Sequence, residues 1–291
     1  MEQRPFGRTG LRVSALGLGA GHIGRPDQTI RDAVRVLDAA LNLGINFVDT
    51  ARGYEQSEER IGQWLGAHRG EVVISTKVGY DVAGEDDWSR GAVIGGVDQA
   101  LRALRTDVLD VVFLHSCDLD TLQRGEAIDA LLACQESGKV RVAGYSGENE
   151  ALAWAVASGM FGAVQTSVNI VDQASLHRTL PAASEQGLGV VAKRPLANVV
   201  WRHRKRPVGV YGEEYWDRLH AAGLQPFKGD WTETAARFAA FAPGVSTAIV
   251  GTSSPRHLAE AVAAVEGGSL LPDEVRRWYD AYRVHGWPGD V

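Results

Sequence analysis

The chain has 291 residues, of which 45% are hydrophobic and 23% charged, and its formal net charge is −6. These values are ordinary for a globular protein, and they exclude a disordered chain and a membrane-spanning class. The negative charge provides no general attraction for nucleic acid or an anionic membrane, so we expect neither as a partner. The N-terminal segment MEQRPFGRTG lacks the apolar core of a secretory signal, and we expect a cytoplasmic protein.

Runs rich in Val, Ile and Leu alternate with helix-period segments along the chain, after a short N-terminal hairpin. This alternation is typical of parallel strands that are joined by helical crossovers. Eight runs are predicted to be strands: residues 15–19, 46–49, 72–77, 111–115, 140–146, 163–165, 190–193 and 247–251.

Signals for helix ends lie between these strands. Asp27 precedes an amphipathic series that runs from Ile30 to Leu41, and Gly44 follows as a C-terminal cap. Ser89 is placed to cap a later helix. Residues 195–230 form the longest segment without a regular pattern, and we predict an active-site loop there.

Eight strand–helix units favour a closed barrel, because parallel strands need both faces covered and eight of them close around a filled interior. The alternative is an open doubly wound sheet. The segment LGLGAGHIG has the glycines of a dinucleotide-binding loop, but no acidic residue ends a convincing second strand. We therefore predict an α/β protein, a (β/α)8 TIM barrel with a short N-terminal β-hairpin, as one domain over residues 1–291.

Cys117 and Cys134 are the two cysteines of the chain. Two are too few for a disulfide framework, and neither has histidines nearby at the spacing of a metal site. We expect reduced thiols and no metal centre.

Polar residues stand at the C-terminal ends of the predicted strands, although the strands themselves are apolar. These ends open on one face of a parallel barrel, so residues far apart in sequence would line a single mouth. Any one of them alone could cap a helix or lie in solvent, but we interpret the whole set as functional. The set is Asp49, Lys77, His115, Ser146, Gln165 and Lys193.

An acid, a phenol, an amine and an imidazole together suit proton transfer to a carbonyl oxygen. A phenol beside an ammonium gives up its proton more readily, and a paired aspartate keeps the ammonium charged and in place. Tyr54 is therefore the predicted general acid, Lys77 its tuner and Asp49 the anchor, while His115 would hydrogen-bond a substrate oxygen. No side chain supplies hydride, so we expect a nicotinamide cofactor.

Several segments carry a family resemblance that covers nearly the whole chain: RPFGRTGLRVSALGLGAG, DTARGYEQSEERIGQWL, STKVG, GKVRVAGYSG, AVQTSVN, GVVAKRPLAN and IVGTSSPRHLAEAV. The sequence resembles the aldo-keto reductases. The resemblance implies a (β/α)8 barrel and NADPH-dependent reduction of an aldehyde or ketone, or the reverse oxidation. It also implies that Asp49, Tyr54, Lys77 and His115 form the catalytic tetrad.

The resemblance further implies which residues hold the cofactor. Ser146 and Gln165 would bind the nicotinamide carboxamide, although Gly147 stands where many relatives carry an asparagine. Lys193 and Arg194 occupy the segment where many relatives place an aromatic ring beneath the nicotinamide. A guanidinium can stack on a ring, so Arg194 is the expected contact there.

For the adenosine end, the resemblance indicates the segment after the last strand, where donors at a helix start bind phosphate. Arg256 or His257 would add charge, which favours NADPH, with NADH as the alternative. Gly251 stands where some relatives carry a lysine, and Ala261 where many carry an asparagine. The predicted cofactor contacts are Gly19, Asp49, Ser146, Gln165, Lys193, Arg194, Gly251, Thr252, Ser253, Arg256, His257 and Glu260.

The predicted substrate pocket combines tetrad residues with aromatic residues of the mouth loops. Its members are Tyr54, Trp88, His115 and Trp201. The basic run WRHRKRP, residues 201–207, would close over a cofactor pyrophosphate or attract an anionic substrate, or it is a solvated loop. The expected substrate is a small carbonyl compound or alcohol, and the sequence predicts no oligomeric state.

Two other functions are compatible with these residues. One is an NADPH-binding regulatory subunit with little turnover, since relatives with an intact tetrad serve as channel-associated subunits. The other is a Schiff-base aldolase that uses Lys77 or Lys193. The combination of Asp, Tyr, Lys and His disfavours the aldolase.

Overall fold

A computed structural model describes residues 1–289, while Asp290 and Val291, the end of the predicted domain, lie outside the described residues. Eight parallel strands close into a barrel, with helices in the connections between them. A two-stranded antiparallel hairpin precedes the barrel. These features confirm the predicted (β/α)8 fold and its N-terminal hairpin.

The barrel strands follow one another around the ring in chain order, and the last closes on the first. All of the predicted runs are barrel strands. The largest differences between the predicted and observed bounds are that the fourth strand starts earlier, at Leu109, and the sixth ends later, at Ser167. The strands are β1 Gln3–Pro5 and β2 Arg12–Ser14 in the hairpin, then β3 Leu16–Gly19, β4 Phe47–Asp49, β5 Val73–Val78, β6 Leu109–His115, β7 Val140–Ser146, β8 Ala163–Ser167, β9 Gly189–Lys193 and β10 Thr247–Gly251.

Helices connect the strands and continue to the end of the described chain. They are α1 Gly21–Gly24, α2 Ile30–Asn42, α3 Ser57–Leu65, α4 Arg90–Leu104, α5 Leu119–Arg124, α6 Glu126–Glu136, α7 Asn149–Ser158, α8 Ala174–Arg178, α9 Leu180–Glu185, α10 Glu213–Ala222, α11 Trp231–Ala240, α12 Pro255–Glu266 and α13 Pro272–His285. Two short 3-10 turns cover Ala197–Arg202 and Phe227–Gly229.

The barrel interior is apolar at one end and polar at the other. Successive residues of a strand point to opposite faces, so every second residue faces the interior. Near the strand starts these positions form one buried apolar cluster with the hairpin residue Phe6: Phe47, Val73, Val111, Phe113, Val142, Ala163, Val191 and Ile249. On the same faces, two or four residues further along, the strands carry polar side chains: Asp49, Lys77, His115, Ser146, Gln165 and Lys193.

Helix α2 begins at Ile30, the first residue of the predicted series, but its capping residue differs from the prediction. Thr29, not Asp27, is its N-cap, because the Thr29 side chain accepts a hydrogen bond from the backbone N–H of Asp32. The Asp32 carboxylate in turn accepts one from the backbone N–H of Thr29, which completes a capping box. The predicted cap Ser89 does accept the expected hydrogen bond, from the backbone N–H of Ala92.

The prediction that residues 195–230 are irregular was wrong for their central part, which contains α10. Only a narrow stripe of this helix is buried, including Tyr215 and Leu219, four positions apart. The buried stripe also contains the charged residue Arg218, which interrupts the apolar pattern in the sequence. Arg206 of the basic run folds back onto α10, with two nitrogens donating to the carboxylate of Asp217.

Candidate active site

A buried ion pair lies at the polar end of the barrel interior. Nζ of Lys77, on β5, donates to Oδ2 of Asp49 at the end of β4 and to the carbonyl oxygen of Thr50, each at 2.7 Å. The two paired side chains are 2% and 1% exposed. The other carboxylate oxygen of Asp49 accepts from Ser75 Oγ at 2.7 Å and from Gln165 Nε2 at 3.1 Å. Both charges therefore have several partners, as buried charges require.

The predicted acid and imidazole lie beside this ion pair. Tyr54, on the loop between β4 and α3, has its ring centroid 4.8 Å from Nζ of Lys77. The His115 ring meets the Tyr54 ring edge to face, with centroids 6.2 Å apart. Burial alone would lower the pKa of Lys77, but attraction to Asp49 and Tyr54 outweighs it and raises that pKa. The structure thus brings Asp49, Tyr54, Lys77 and His115 together, with the lysine charged.

His115 is kept neutral by its surroundings. Burial, followed by repulsion from Lys77 and Lys193, lowers the pKa of His115 to about 3. Its Nδ1 lies 2.7 Å from the hydroxyl oxygen of Tyr80, on the loop after β5. The sequence places Tyr80 among the aromatic residues of the mouth loops but does not predict its contact with His115, because no spacing rule relates a loop residue to the end of the next strand.

The two predicted carboxamide contacts continue the same hydrogen-bonded chain. Ser146 Oγ donates to Gln165 Oε1 at 3.1 Å, and Gln165 also donates to Asp49. The adjacent Gly147 has a structural reason to lack a side chain, since a Cβ there would lie 2.3 Å from the hydroxyl of Tyr145. That hydroxyl donates to the carbonyl oxygen of Cys117. An asparagine at this position would therefore displace Tyr145.

Lys193 is paired with an acid that the sequence analysis missed. Its Nζ lies 3.3 Å from Oε1 of Glu148, whose side chain is 6% exposed. Burial alone would raise the pKa of Glu148, but Lys193 and hydrogen bonds from Thr166 and Ser167 outweigh it and lower that pKa. Burial lowers the pKa of Lys193, and Glu148 opposes part of that shift. Glu148 lies just beyond β7, where strand periodicity no longer predicts the direction of a side chain.

Arg194 has polar and aromatic partners of its own. Its backbone has a φ of 56°, and its guanidinium donates to Ser167 Oγ at 2.9 Å. The same guanidinium lies 4.8 Å from the ring centroid of Tyr211. The expected stacking of Arg194 on a nicotinamide would compete with this arrangement.

The predicted adenosine contacts lie together at the end of β10 and the start of α12. Thr252 Oγ1 accepts from the backbone N–H of Ser254, and Ser254 Oγ accepts from the backbone N–H of His257. The side chain of Arg256 is 76% exposed and pairs with Glu260 at 3.3 Å. Gly251 pairs with Gly19 across the barrel seam, and Ser253 lies between the two hydroxyl residues of this turn. The turn is therefore rich in donors and carries an exposed cation.

The two tryptophans of the predicted pocket lie in different surroundings. The Trp88 ring meets Tyr80 edge to face with centroids 5.8 Å apart, and Tyr80 contacts His115. Trp201 instead stacks on Trp231, with centroids also 5.8 Å apart. Trp88 is therefore linked to His115 through Tyr80, while Trp201 packs on Trp231 at the first 3-10 turn.

Within residues 1–289, no group of three His, Cys, Asp or Glu side chains could hold a metal ion. In the same part of the chain, no helix is both long and apolar enough to span a membrane. Cys117 and Cys134 are buried free thiols.

Comparison with known proteins identifies the family. The model of the Aldo/keto reductase family matches residues 15–283. The chain belongs to the aldo-keto reductase family. Family membership makes it an oxidoreductase and implies a nicotinamide cofactor and a small-molecule substrate.

Individual aldo-keto reductase relatives match almost the whole chain. L-galactose dehydrogenase of Arabidopsis thaliana is 29% identical, over 100% of this chain and 98% of its own. A protein of Oryza sativa subsp. japonica named "Probable voltage-gated potassium channel subunit beta" is 28% identical, over 94% of each chain. The structure of an aldo-keto reductase from Bacillus halodurans in its holo form has a TM-score of 0.83 and 26% identity, over 97% of this chain and 96% of that one.

Asp172 is a further buried acid, on the loop after β8. Its side chain accepts a hydrogen bond from the Tyr215 hydroxyl of α10 at 2.7 Å, so it fastens α10 to the barrel. Its other oxygen, Oδ1, has no hydrogen-bond partner among the described residues. Burial and then the charge of Glu148 raise the pKa of Asp172 to about 6.

We expect Asp172→Asn to stabilise the protein above neutral pH relative to acid pH. Between the ordinary pKa of 3.8 and the folded pKa of about 6, the folded chain binds the extra proton, so stability falls as pH rises through this window. The asparagine removes that dependence. The free energy of unfolding of Asp172→Asn, relative to that of the wild type, should therefore increase by about 2 kcal/mol from pH 4 to pH 7.5. Urea unfolding at both pH values measures the difference, with the exposed Asp273→Asn as the control. An advantage that does not change with pH would contradict the assignment.

Proposed function

We propose that the protein reduces an aldehyde or ketone to an alcohol with NADPH, or catalyses the reverse oxidation. The observation that carries this proposal is the buried pair of Asp49 and Lys77 beside Tyr54 and His115 at the barrel mouth. A buried ammonium held next to a phenol is of little use for packing, since buried ion pairs seldom add stability. It is well suited to proton transfer at a carbonyl oxygen.

Each tetrad residue has a distinct task in this reaction. Tyr54 gives its proton to the carbonyl oxygen, and the ammonium of Lys77 stabilises the phenolate that remains. Asp49 keeps Lys77 charged and fixed through their 2.7 Å contact. Neutral His115 donates a hydrogen bond to the substrate oxygen and orients it. NADPH, when bound, supplies the hydride.

The cofactor fits the donors and acceptors that the mouth presents. Ser146 and Gln165 are buried at neighbouring strand ends, where a hydroxyl and an amide can bind a carboxamide. The start of α12 offers the hydroxyl groups of Thr252 and Ser254 and the exposed cation of Arg256 for a phosphate. The proposal of NADPH over NADH rests on Arg256 and His257.

We expect Tyr54→Phe to lower kcat by about 10²–10⁴-fold, the range attributed to a general acid. The dissociation constant of NADPH should stay within about twofold, because the hydroxyl acts in proton transfer rather than in binding. Lys77→Met should also lower kcat, since it leaves the Asp49 carboxylate without its cation. Steady-state kinetics and fluorescence titration with NADPH measure the two effects. Near-normal turnover by Tyr54→Phe would show that another group is the acid.

We expect Arg256→Ser to weaken NADPH binding by about tenfold or more, the loss typical of a hydrogen bond to a charged group. NADH, which lacks the ribose phosphate, should bind the variant as it binds the wild type. Arg276→Ser, at another exposed arginine that pairs with an acid on its own helix, is the control. Equal weakening of both cofactors, or tighter binding of NADH by the wild type, would remove Arg256 as a phosphate ligand.

The second candidate is a cofactor-binding subunit without significant turnover, which the name of the Oryza sativa relative suggests. Oxidation of NADPH by nitrobenzaldehyde, together with reduction of NADP+ by a panel of aldoses, separates the two functions. The aldoses are included because relatives are named L-galactose dehydrogenase and D-threo-aldose 1-dehydrogenase. Tight binding of NADPH without turnover across the panel would favour the subunit.

A further inference from the structure

His115 has a hydrogen-bond partner to which the proposed mechanism assigns no task. The hydroxyl oxygen of Tyr80 lies 2.7 Å from Nδ1 of His115. The two rings also stack, with centroids 5.4 Å apart and an angle of 28° between their planes. These contacts link the loop after β5 to the last residue of β6. The hydrogen bond holds the imidazole at one edge, and the stacked Tyr80 ring holds it on one face.

The direction of this hydrogen bond follows from the state of the two groups. Burial and repulsion from Lys77 and Lys193 lower the pKa of His115 to about 3, so the ring is neutral and has a single N–H. Burial and the neighbouring Tyr54 raise the pKa of Tyr80, so its phenol keeps its proton. A phenol is a stronger hydrogen-bond donor than a neutral imidazole N–H, and an unprotonated imidazole nitrogen is a good acceptor, so we assign the Tyr80 O–H as the donor to Nδ1 of His115. A neutral imidazole that accepts at Nδ1 carries its proton on Nε2.

The phenol is itself held in place by its loop. Gly79 has a φ of 133°, and a Cβ there would lie 2.0 Å from the ring of Trp88. The backbone N–H of Trp88 donates to the carbonyl oxygen of Gly79 at 2.6 Å, and its ring meets Tyr80 edge to face. A Cβ on Gly53 would lie 3.0 Å from the Tyr80 hydroxyl. The Tyr80 hydroxyl therefore has little freedom to leave His115.

We propose that Tyr80 is a positioning residue that fixes His115 as the Nε2–H tautomer and sets the plane of its ring. His115 then presents a hydrogen-bond donor, not an acceptor, to the substrate oxygen beside Tyr54. The Tyr54 hydroxyl and the His115 Nε2–H would then both donate to the substrate oxygen, which stabilises the negative charge that develops on that oxygen during carbonyl reduction. This inference rests on the proposed function, because that function gives His115 its task.

The tautomer can be measured directly by long-range ¹H–¹⁵N correlation NMR, in which the two neutral forms of histidine differ. The His115 signals of the ¹⁵N-labelled protein are assigned by their loss in His115→Gln. We expect the Nε2–H form in the wild type, both alone and with NADPH bound. Tyr80→Phe keeps the stacked ring but removes the donor, so His115 should become a mixture of both tautomers.

In kinetics, Tyr80→Phe should lower kcat/KM by about tenfold, the loss expected for one hydrogen bond, with an unchanged dissociation constant of NADPH. Tyr279→Phe on α13 is the matched control, because that ring packs on His177 and Phe238. It should leave both the His115 spectrum and kcat/KM unchanged. The Nδ1–H form in the wild type, or an unchanged spectrum in Tyr80→Phe, overturns the proposal.

The spectra are recorded without substrate, so they separate this inference from the proposed function. The Nε2–H form in a protein that reduces no carbonyl compound supports the tautomer assignment and contradicts only the proposed function. A mixture of tautomers in Tyr80→Phe with unchanged kcat/KM overturns the role of Tyr80 in the reaction.

Discussion

The ion pair of Asp49 and Lys77 is the contact on which the arrangement of the mouth depends. Moving two charges out of water costs several kcal/mol for each ion, and their attraction offsets that cost only when further hydrogen bonds satisfy both groups. Here those bonds come from Thr50, Ser75 and Gln165. Gln165 is 116 residues from Asp49 in sequence, so full satisfaction of the pair requires β4 and β8 to face one another in the barrel interior. The site therefore depends on the folded barrel.

The interior of the barrel explains why the site could be predicted from the sequence. Side chains alternate along each strand, so a polar residue two or four positions after an interior apolar residue faces the same space. Phe47 and Asp49 show this relation on β4, and Phe113 and His115 show it on β6. The strand-end residues Asp49, Lys77 and His115, with Ser146 and Gln165, followed from this regularity. Tyr54, on a loop, was predicted from its residue type and from the family resemblance.

Contacts made by loop residues were the features that the sequence did not predict. Tyr80, Glu148 and Asp172 all lie outside the strands, where no periodicity fixes the direction of a side chain, so their partners could not be predicted. Arg194 also lies beyond its strand, and its guanidinium donates to Ser167. The N-cap at Thr29 was missed because Asp27, two residues earlier, is an equally good capping residue by type. Local geometry selected between them.

In the proposed reaction, Lys77 and His115 need opposite protonation states although they lie close together. Lys77 would have to stay charged to stabilise the phenolate of Tyr54, while His115 would have to stay neutral to remain a donor. Both side chains are buried, but the Asp49 carboxylate offsets burial for the lysine, whereas repulsion from Lys77 and Lys193 adds to burial for the imidazole. In our proposal, Tyr80 then determines which nitrogen of the neutral ring is free for the substrate.

The most direct test of carbonyl reduction at this site is isotope transfer. The wild type is incubated with nitrobenzaldehyde and NADPH that carries deuterium at both positions of nicotinamide C4, and the alcohol is analysed by mass spectrometry. We expect deuterium on the carbinol carbon in the wild type and a much slower appearance of the same product with Tyr54→Phe. Alcohol formed without deuterium would contradict NADPH as the source of the hydride. Alcohol formed at an equal rate by both proteins would contradict Tyr54 as the proton donor.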